Sequence, residues 1–221
     1  MKKILMIGLI SAMCVLLNLE KSYAGNIFLQ TVFDYGSIYD GQQQFSDDLK
    51  KKDYMYTNDI SVLNIGPEFT FYGEAWGFSL GWMLFSESGA EYRHRTEFGE
   101  NEGEIAISCP NIYLLFNRIL FMYGEPDGFI SLNTRLGPVI GNYTIEHAGL
   151  DNKDYSGTKR LYGIEGTLDF IIAAEGIMVT FSAVGIKCIP QTISKKSIGT
   201  DSDWKASSDM LGIKFGLGKY W

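Results

Sequence analysis

The sequence predicts an all-β chain: an eight-stranded antiparallel up-and-down transmembrane barrel, with short turns at one end and four long loops at the other. Three observations predict it. Apolar residues alternate with small or polar ones at a period of two along several segments, the mark of strands with two different faces. Short and long links alternate strictly between those segments. Of 221 residues, 14% are aromatic, and Gly numbers 25 against 5 Pro, a balance that favours sheet over a helical bundle. The length suits one domain.

In chain order, an address comes first. Lys2 and Lys3 precede an apolar run over 4–17, and Ser22-Tyr23-Ala24 places small residues at −3 and −1 of a cleavage site. This pattern is a secretory signal peptide, residues 1–24, cut after Ala24. The run is short for a helical span of about 20 residues. Met13 stands before Cys14 where lipoprotein processing needs a small residue. Loss of Lys2, Lys3, Lys21 and Glu20 takes the formal charge from −7 to −9 and leaves residues 25–221 as one barrel domain. So acidic a chain lacks the basic face a nucleic-acid binder needs. Three cysteines are too few for a disulfide framework, and no Cys/His cluster has zinc spacing.

Eight strands follow, near 26–39, 59–72, 76–87, 105–122, 129–145, 160–173, 176–189 and 208–221. In the second, Leu63, Ile65, Pro67, Phe69 and Phe71 alternate with Val62, Asn64, Gly66, Glu68 and Thr70. The third sets Trp76, Phe78, Leu80, Trp82 and Leu84 against Gly77, Ser79, Gly81 and Met83. The fifth sets Ile130, Leu132, Leu136, Pro138 and Ile140 against Ser131, Asn133, Arg135, Gly137 and Gly141. In the sixth, Tyr162, Ile164, Leu168, Phe170 and Ile172 oppose Gly163, Glu165, Thr167 and Asp169. The eighth is the cleanest: Leu211, Ile213, Phe215, Leu217 and Trp221 share one face, Met210, Gly212, Lys214, Gly216, Gly218 and Tyr220 the other. The first and seventh alternate more weakly, and the fourth has an ambiguous facing.

The links carry the architecture. Gly73-Glu74-Ala75, the stretch 124–128 and Ala174-Glu175 are short, whereas 40–58, 88–104, 146–159 and 190–207 are long and polar. A meander with this rhythm has all its short turns at one end. A soluble sandwich has no reason to sort its loops so. An outer-membrane barrel does, with short periplasmic turns and long extracellular loops. Closure of the sheet is what lets strands cross a bilayer, where no water satisfies an open edge. Phe71, Tyr72, Trp76, Tyr123, Phe129, Tyr220 and Trp221 fall near the short-turn end and Tyr39, Tyr143 and Tyr162 near the other, as two interfacial girdles would.

With its signal peptide, strand rhythm and terminal Lys219-Tyr220-Trp221, the chain resembles the small eight-stranded bacterial outer-membrane barrels, the OmpA/OmpX/OmpW-like group, over essentially all of 25–221. The resemblance implies a location in the bacterial outer membrane. It also implies that Phe215, Leu217, Tyr220 and Trp221 form the signal read by the barrel-assembly machinery. Here the terminal aromatic is Trp where such barrels usually carry Phe, and Lys219 interrupts the pattern.

Some barrels of this size are enzymes, such as lipid A deacylases and palmitoyl transferases. His94, within Tyr92-Arg93-His94-Arg95 of the second long link, and His147, at the outer end of the fifth strand, both lack the His-x-Ser arrangement of the deacylases. Both read as solvated histidines, and no enzymatic activity, catalytic residue or cofactor is expected. Asp201-Ser202-Asp203 and Asp151-Asn152-Lys153-Asp154 lack the spacing, glycine and distal Glu of a calcium loop, so no metal site is expected. Cys109 and Cys188 fall on strands that are not neighbours, which argues against a bridge.

The even-numbered face of the second and eighth strands and the odd-numbered face of the fifth and sixth point inward. Together with the first strand they put Asp34, Glu68, Arg135, Glu165, Asp169 and Lys214 in the lumen, with Arg135 beside Glu165 and Asp169, and Lys214 beside Asp34. A lumen so charged is hard to reconcile with a dry lipocalin-like cavity. It suggests a polar, largely filled interior that fixes the register. The function expected is a non-enzymatic surface anchor or interaction protein; the alternative is a narrow channel or transporter for small solutes. The partners expected are outer-membrane lipids, the assembly machinery and an extracellular ligand held by the long loops.

Overall fold

A computed structural model of the chain describes residues 26–38, 54–56, 61–72, 75–96, 99–125, 128–148, 154–198, 203–207 and 209–220. The leader 1–24, most of the link 40–58 and Trp221 lie outside the described residues. The strands are β1 (Asn26–Ile38), β2 (Tyr54–Tyr56), β3 (Ser61–Tyr72), β4 (Trp76–Met83), β5 (Phe85–Thr96), β6 (Gly99–Ser108), β7 (Asn111–Glu125), β8 (Gly128–Ala148), β9 (Asp154–Ala174), β10 (Ile177–Cys188), β11 (Gln191–Ile193), β12 (Trp204–Ala206) and β13 (Met210–Tyr220). One helical turn, Lys195–Ile198, stands between β11 and β12.

Eight of these make the wall. β4 continues into β5, and β6 into β7. The antiparallel ring runs β1, β3, β4, β7, β8, β9, β10, β13 and back to β1. The last strand closes on the first from Phe28 opposite Tyr220 to Ile38 opposite Met210, so the ring has no open edge. A tight turn at Glu175-Gly176 joins β9 to β10, and both residues take positive φ (51° and 80°), the geometry of a two-residue hairpin.

Burial follows the period of two. In β10, Met178, Thr180, Ser182, Val184, Ile186 and Cys188 are buried, while Ile177 and Phe181 are exposed. Outside, the ring carries a continuous apolar belt. Trp82 is 54% exposed, Phe116 62% and Ile213 66%, with Phe78, Leu136, Ile164 and Leu168 alongside. An apolar surface of this extent, on a ring whose backbone bonds are satisfied internally, is the surface of a bilayer-spanning barrel.

Two insertions interrupt the alternation. Glu68 opposes Gly81, but Ile65 opposes Phe85, so the wall strand made of β4 and β5 gains one residue at Leu84. A second register shift lies between Ile119 and Phe121. It turns the end of β7 over, which is why the fourth segment has no single facing in the sequence.

Two of the four long links are largely taken up by extensions of the wall strands. The stretch 88–104 is a hairpin in which β5 and β6 pair from Ser88 opposite Ile107 to Thr96 opposite Gly99, and β2 adds to its edge. His94 therefore sits in a strand, not in a loop. β8 and β9 pair as far as Ala148 opposite Asp154, shrinking the third link to 149–153. The segment carries no apolar stripe of period two, so alternation does not mark it in the sequence. The girdles also differ from expectation. Phe71, Trp76, Tyr123 and Tyr162 face outward, but Tyr72 and Tyr143 are buried, and Phe129 and Tyr220 pack inward.

Candidate functional site in the barrel lumen

The lumen is filled in three layers. At the short-turn end, Phe28, Tyr72, Ile171, Ala173 and Met178 form an apolar cap that Ile119, Phe129 and Tyr220 complete. The rings meet edge-on, Phe28 and Tyr72 at 4.9 Å between centroids and Phe129 and Tyr220 at 5.7 Å, an arrangement that suits aromatic quadrupoles.

The middle layer is ionic. Glu68 on β3 is fully buried, and its Oε1 accepts from Arg135 Nη1 and from Gln30 Nε2, both at 2.6 Å. Its Oε2 accepts from the Tyr113 hydroxyl at 2.5 Å. Arg135 on β8 also donates Nη2 to Asp169 Oδ1 and Nε to Thr167 Oγ1, each at 3.0 Å. Lys214 on β13 pairs with Glu165 on β9, and its ammonium lies 4.3 Å from the centroid of the Tyr113 ring. Ser79 Oγ sits beside the guanidinium and bonds both Thr70 and Asn117. Seven of the eight wall strands thus contribute to one charge-assisted network. Asn64 Oδ1, Asn117 Oδ1 and Asn133 Oδ1 have no partner among the described residues, the usual station of an ordered water.

The residues singled out in the sequence are distributed as follows. Glu68, Arg135, Glu165, Asp169 and Lys214 are all 2% exposed or less, inside the barrel. Arg135 takes Glu68 and Asp169 as partners; Glu165, expected beside it, goes to Lys214 instead. Thr167 stands opposite Arg135 on β9, with Glu165 and Asp169 two residues to either side, and the guanidinium turns to Asp169. Asp34 lies opposite Lys214 and Asn64 along the backbone, and its side chain is outside the described set. Phe215 and Leu217 face the lipid belt, and Tyr220 faces the cap.

Sequence reasoning missed Tyr113, the hub that joins the two ion pairs. It lies on the strand of ambiguous facing. A signal existed on the opposite strand: a Cβ at Gly81 would come within 2.0 Å of the Tyr113 ring, so glycine there leaves room for it.

The outer layer is apolar. Val32, Met83, Ile107, Leu115, Val139, Leu161, Val184 and Ile186 line it from the wall. The last long link fills its centre. β11 and β12 form a small hairpin, Ile193 opposite Trp204, that sends Ile193, Trp204 and Ala206 into the mouth. The Trp204 indole N–H donates to the Tyr143 hydroxyl at 3.0 Å. Asp209 holds the base of the link, accepting from the Cys188 backbone N–H at 2.7 Å and from the Ser207 hydroxyl at 3.1 Å, and pairing with Lys187. Cys109 and Cys188 are buried thiols of this layer. The wall's buried charges therefore sit in the middle, while the outer layer is mainly apolar with Asn111, Ser207 and Asp209 among its members.

No family model matches the chain, and no curated protein matches it. Solved structures do. The outer membrane protein OprG of Pseudomonas aeruginosa matches with a TM-score of 0.53 and 15% identity, over 90% of this chain and 96% of that one. The N-terminal β-barrel domain of OprF from the same organism gives 0.40 and 10%, over 87% and 97%. Ail, the attachment invasion locus protein of Yersinia pestis, gives 0.40 and 11%, over 90% and 99%. The likeness to OprG is one of fold. Together with the closed ring and the outward apolar belt, it makes the chain an eight-stranded antiparallel β-barrel of the kind that crosses a membrane with its strands.

Proposed function

We propose that this outer-membrane barrel is a closed, non-enzymatic anchor that presents its outer hairpins at the cell surface. The observation that supports it most is the filled lumen: an ionic layer built by the wall, with an apolar layer on either side. An eight-stranded barrel is just wide enough for its side chains to fill. Here they bond one another, so Glu68, Arg135, Tyr113 and Lys214 hold the register. The β5–β6 hairpin and the β8–β9 extension rise beyond the belt on paired backbone and would carry a surface contact.

Planar-bilayer recording tests the reading. The wild-type protein should give no stable large-conductance state, and its folded form should migrate differently from the boiled form on SDS gels. A stable large pore would hand the molecule to the rival reading, a narrow channel for small solutes. That rival draws support from one feature: the outer seal is made partly by a link, which can move without breaking the wall.

A further inference from the structure

At the short-turn end one strand outruns its neighbour. β4 begins at Trp76, opposite Arg118, and beyond that pair the Ile119 N–H donates to the Ala75 carbonyl at 3.1 Å. β7 continues to Glu125, paired from Phe121 onward with β8 alone. Among the described residues, the other edge of 120–125 faces no strand. Ile119 is the β7 member of the apolar cap, so the stretch after it runs past the floor of the lumen. There the side chains stop alternating in burial. Leu120, Phe121, Met122 and Tyr123 are all exposed, Tyr123 by 75%, and Ile130, opposite Tyr123 on β8, is exposed with them. Nowhere else among the described residues do four successive large apolar side chains lie exposed. An apolar strand with one unpaired edge is the form that accepts another strand.

Of the occupants open to such an edge, two fit poorly. Acyl chains would cover the side chains and leave the backbone groups of the edge unpaired. Two copies in one membrane run β7 in the same direction, so they cannot pair these edges antiparallel. An extended segment of another protein fits, and the charge around the edge selects its chemistry. The three short turns, 73–75, 124–128 and 174–176, carry Glu74, Glu125, Asp127 and Glu175 and no basic residue. Glu125 and Glu175 are exposed, and Gly128 stands opposite Glu125 on one side and Ala174 on the other. Arg118, at the head of the edge, lies over the Trp76 ring, 5.0 Å from its centroid.

We propose that residues 120–125 form a docking edge for a basic, extended segment of a periplasmic partner, which adds to β7 as a strand. The surface rests on the outer-membrane reading given above, which puts the short turns in the periplasm. The segment takes the place, about 4.8 Å from β7, that a longer β4 would fill. Its backbone pairs with the free edge, its apolar side chains lie beside Phe121, Met122 and Tyr123, and its cations meet Glu125 and the other acids of the turns.

The test uses the full barrel in phosphatidylcholine nanodiscs, which leave both ends open to solution. The probe is a short fluorescent peptide of alternating Lys and Val. It should bind, and amide exchange over 120–125 should slow while exchange in the β5–β6 hairpin, also rich in glutamate, stays unchanged. A peptide of alternating Glu and Val, and a Lys–Val peptide interrupted by prolines, should each bind about tenfold more weakly. Phe121→Ser with Tyr123→Ser should weaken the Lys–Val peptide about tenfold, and Glu125→Lys with Glu175→Lys should transfer the preference to the Glu–Val peptide. Equal binding of the three peptides, or protection on β6 in place of 120–125, would overturn the docking edge. So would a segment 120–125 already protected without peptide, because lipid or a second copy would then cover it. Heat-modifiable migration, read first, reports on the barrel: a chain that lacks it fails the outer-membrane reading, whereas a folded barrel that ignores the peptide fails only the edge.

Discussion

The middle and outer layers of the lumen fill the same barrel by different physics. The middle layer belongs entirely to the wall: every member of the Glu68, Arg135, Asp169, Lys214 and Glu165 network sits on a strand whose neighbours fix its height. The outer layer is shared with a link, because Trp204, Ile193 and Ala206 enter from above. Charged partners depend on register, since a one-residue slip sends each of them to the lipid face. Apolar contacts ask only for volume. The difference teaches that the ionic layer specifies the barrel and the apolar plug merely closes it, so damage to the two should look different.

The largest effect should come from the closing strand. Deleting Lys219, Tyr220 and Trp221 removes the pairing of β13 with β1 at Phe28 and takes Tyr220 from the cap. An unclosed end in lipid leaves backbone groups unpaired, so surface levels should collapse. Shortening the link 40–58 should leave them nearly intact. Equal surface levels of the two variants would count against a role for the terminal residues in assembly.

Next in size is Arg135→Ala, which strands Glu68 and Asp169 in the interior. Breaking a buried pair costs about 3–5 kcal/mol, and a wetted lumen brings the cost toward the lower end. Denaturant unfolding in vesicles should show this loss, against a change within about 0.5 kcal/mol for Arg93→Ala in the outer hairpin. If the two substitutions cost the same, the ionic layer does not hold the register.

How much of this is legible in the sequence depends on whether a strand has two unlike faces. β8 and β9 do within the belt, and the inward positions of Arg135, Glu165 and Asp169 can be read from parity alone. Their partners cannot, because pairing depends on the offset between strands: Thr167 opposes Arg135, and Glu68 reaches it from across two intervening wall strands. β7 is less legible, since the shift between Ile119 and Phe121 breaks its parity and hides Tyr113. The outer hairpin at 88–104 is not legible at all. Its sequence carries no apolar stripe of period two, so nothing alternates. The stopper is hidden for another reason: Ile193, Trp204 and Ala206 are isolated apolar residues in a polar stretch, and only the enclosing barrel gives them a place.

A smaller effect tests the hub between the ion pairs. Gly81→Ala would push the Tyr113 ring aside, because the new methyl carbon falls 2.0 Å from it, and the ring cannot swing without losing its bond to Glu68. Overpacking of this kind costs about 1–3 kcal/mol. Tyr113→Phe keeps the ring and removes only the hydroxyl, and a hydrogen bond to a charged group contributes about 1.5–3 kcal/mol. The two substitutions should therefore destabilise similarly, and the double variant should cost less than their sum. Full additivity in such a cycle would mean that Gly81 and Tyr113 are not coupled through Glu68.

The smallest global effect should follow the loss of the largest plugging side chain. Trp204→Ala in an ordinary core would cost about 3–5 kcal/mol. Here Trp204 sits on a hairpin outside the wall ladder, and the link can retreat to solvent while all eight wall strands stay paired. The unfolding free energy should then change by about 1 kcal/mol or less, because local opening of the link precedes unfolding of the wall. The indole's bond to Tyr143 would be lost, and amide exchange at β11 and β12 should rise strongly while exchange in β8 and β9 within the belt stays slow. Conductance separates the layers further. Trp204→Ala alone should remain closed, since the ionic layer still blocks the lumen, whereas Trp204→Ala combined with Arg135→Ala should conduct. A single Trp204→Ala variant that conducts as well as the double would show that the link, not the charge network, is the seal.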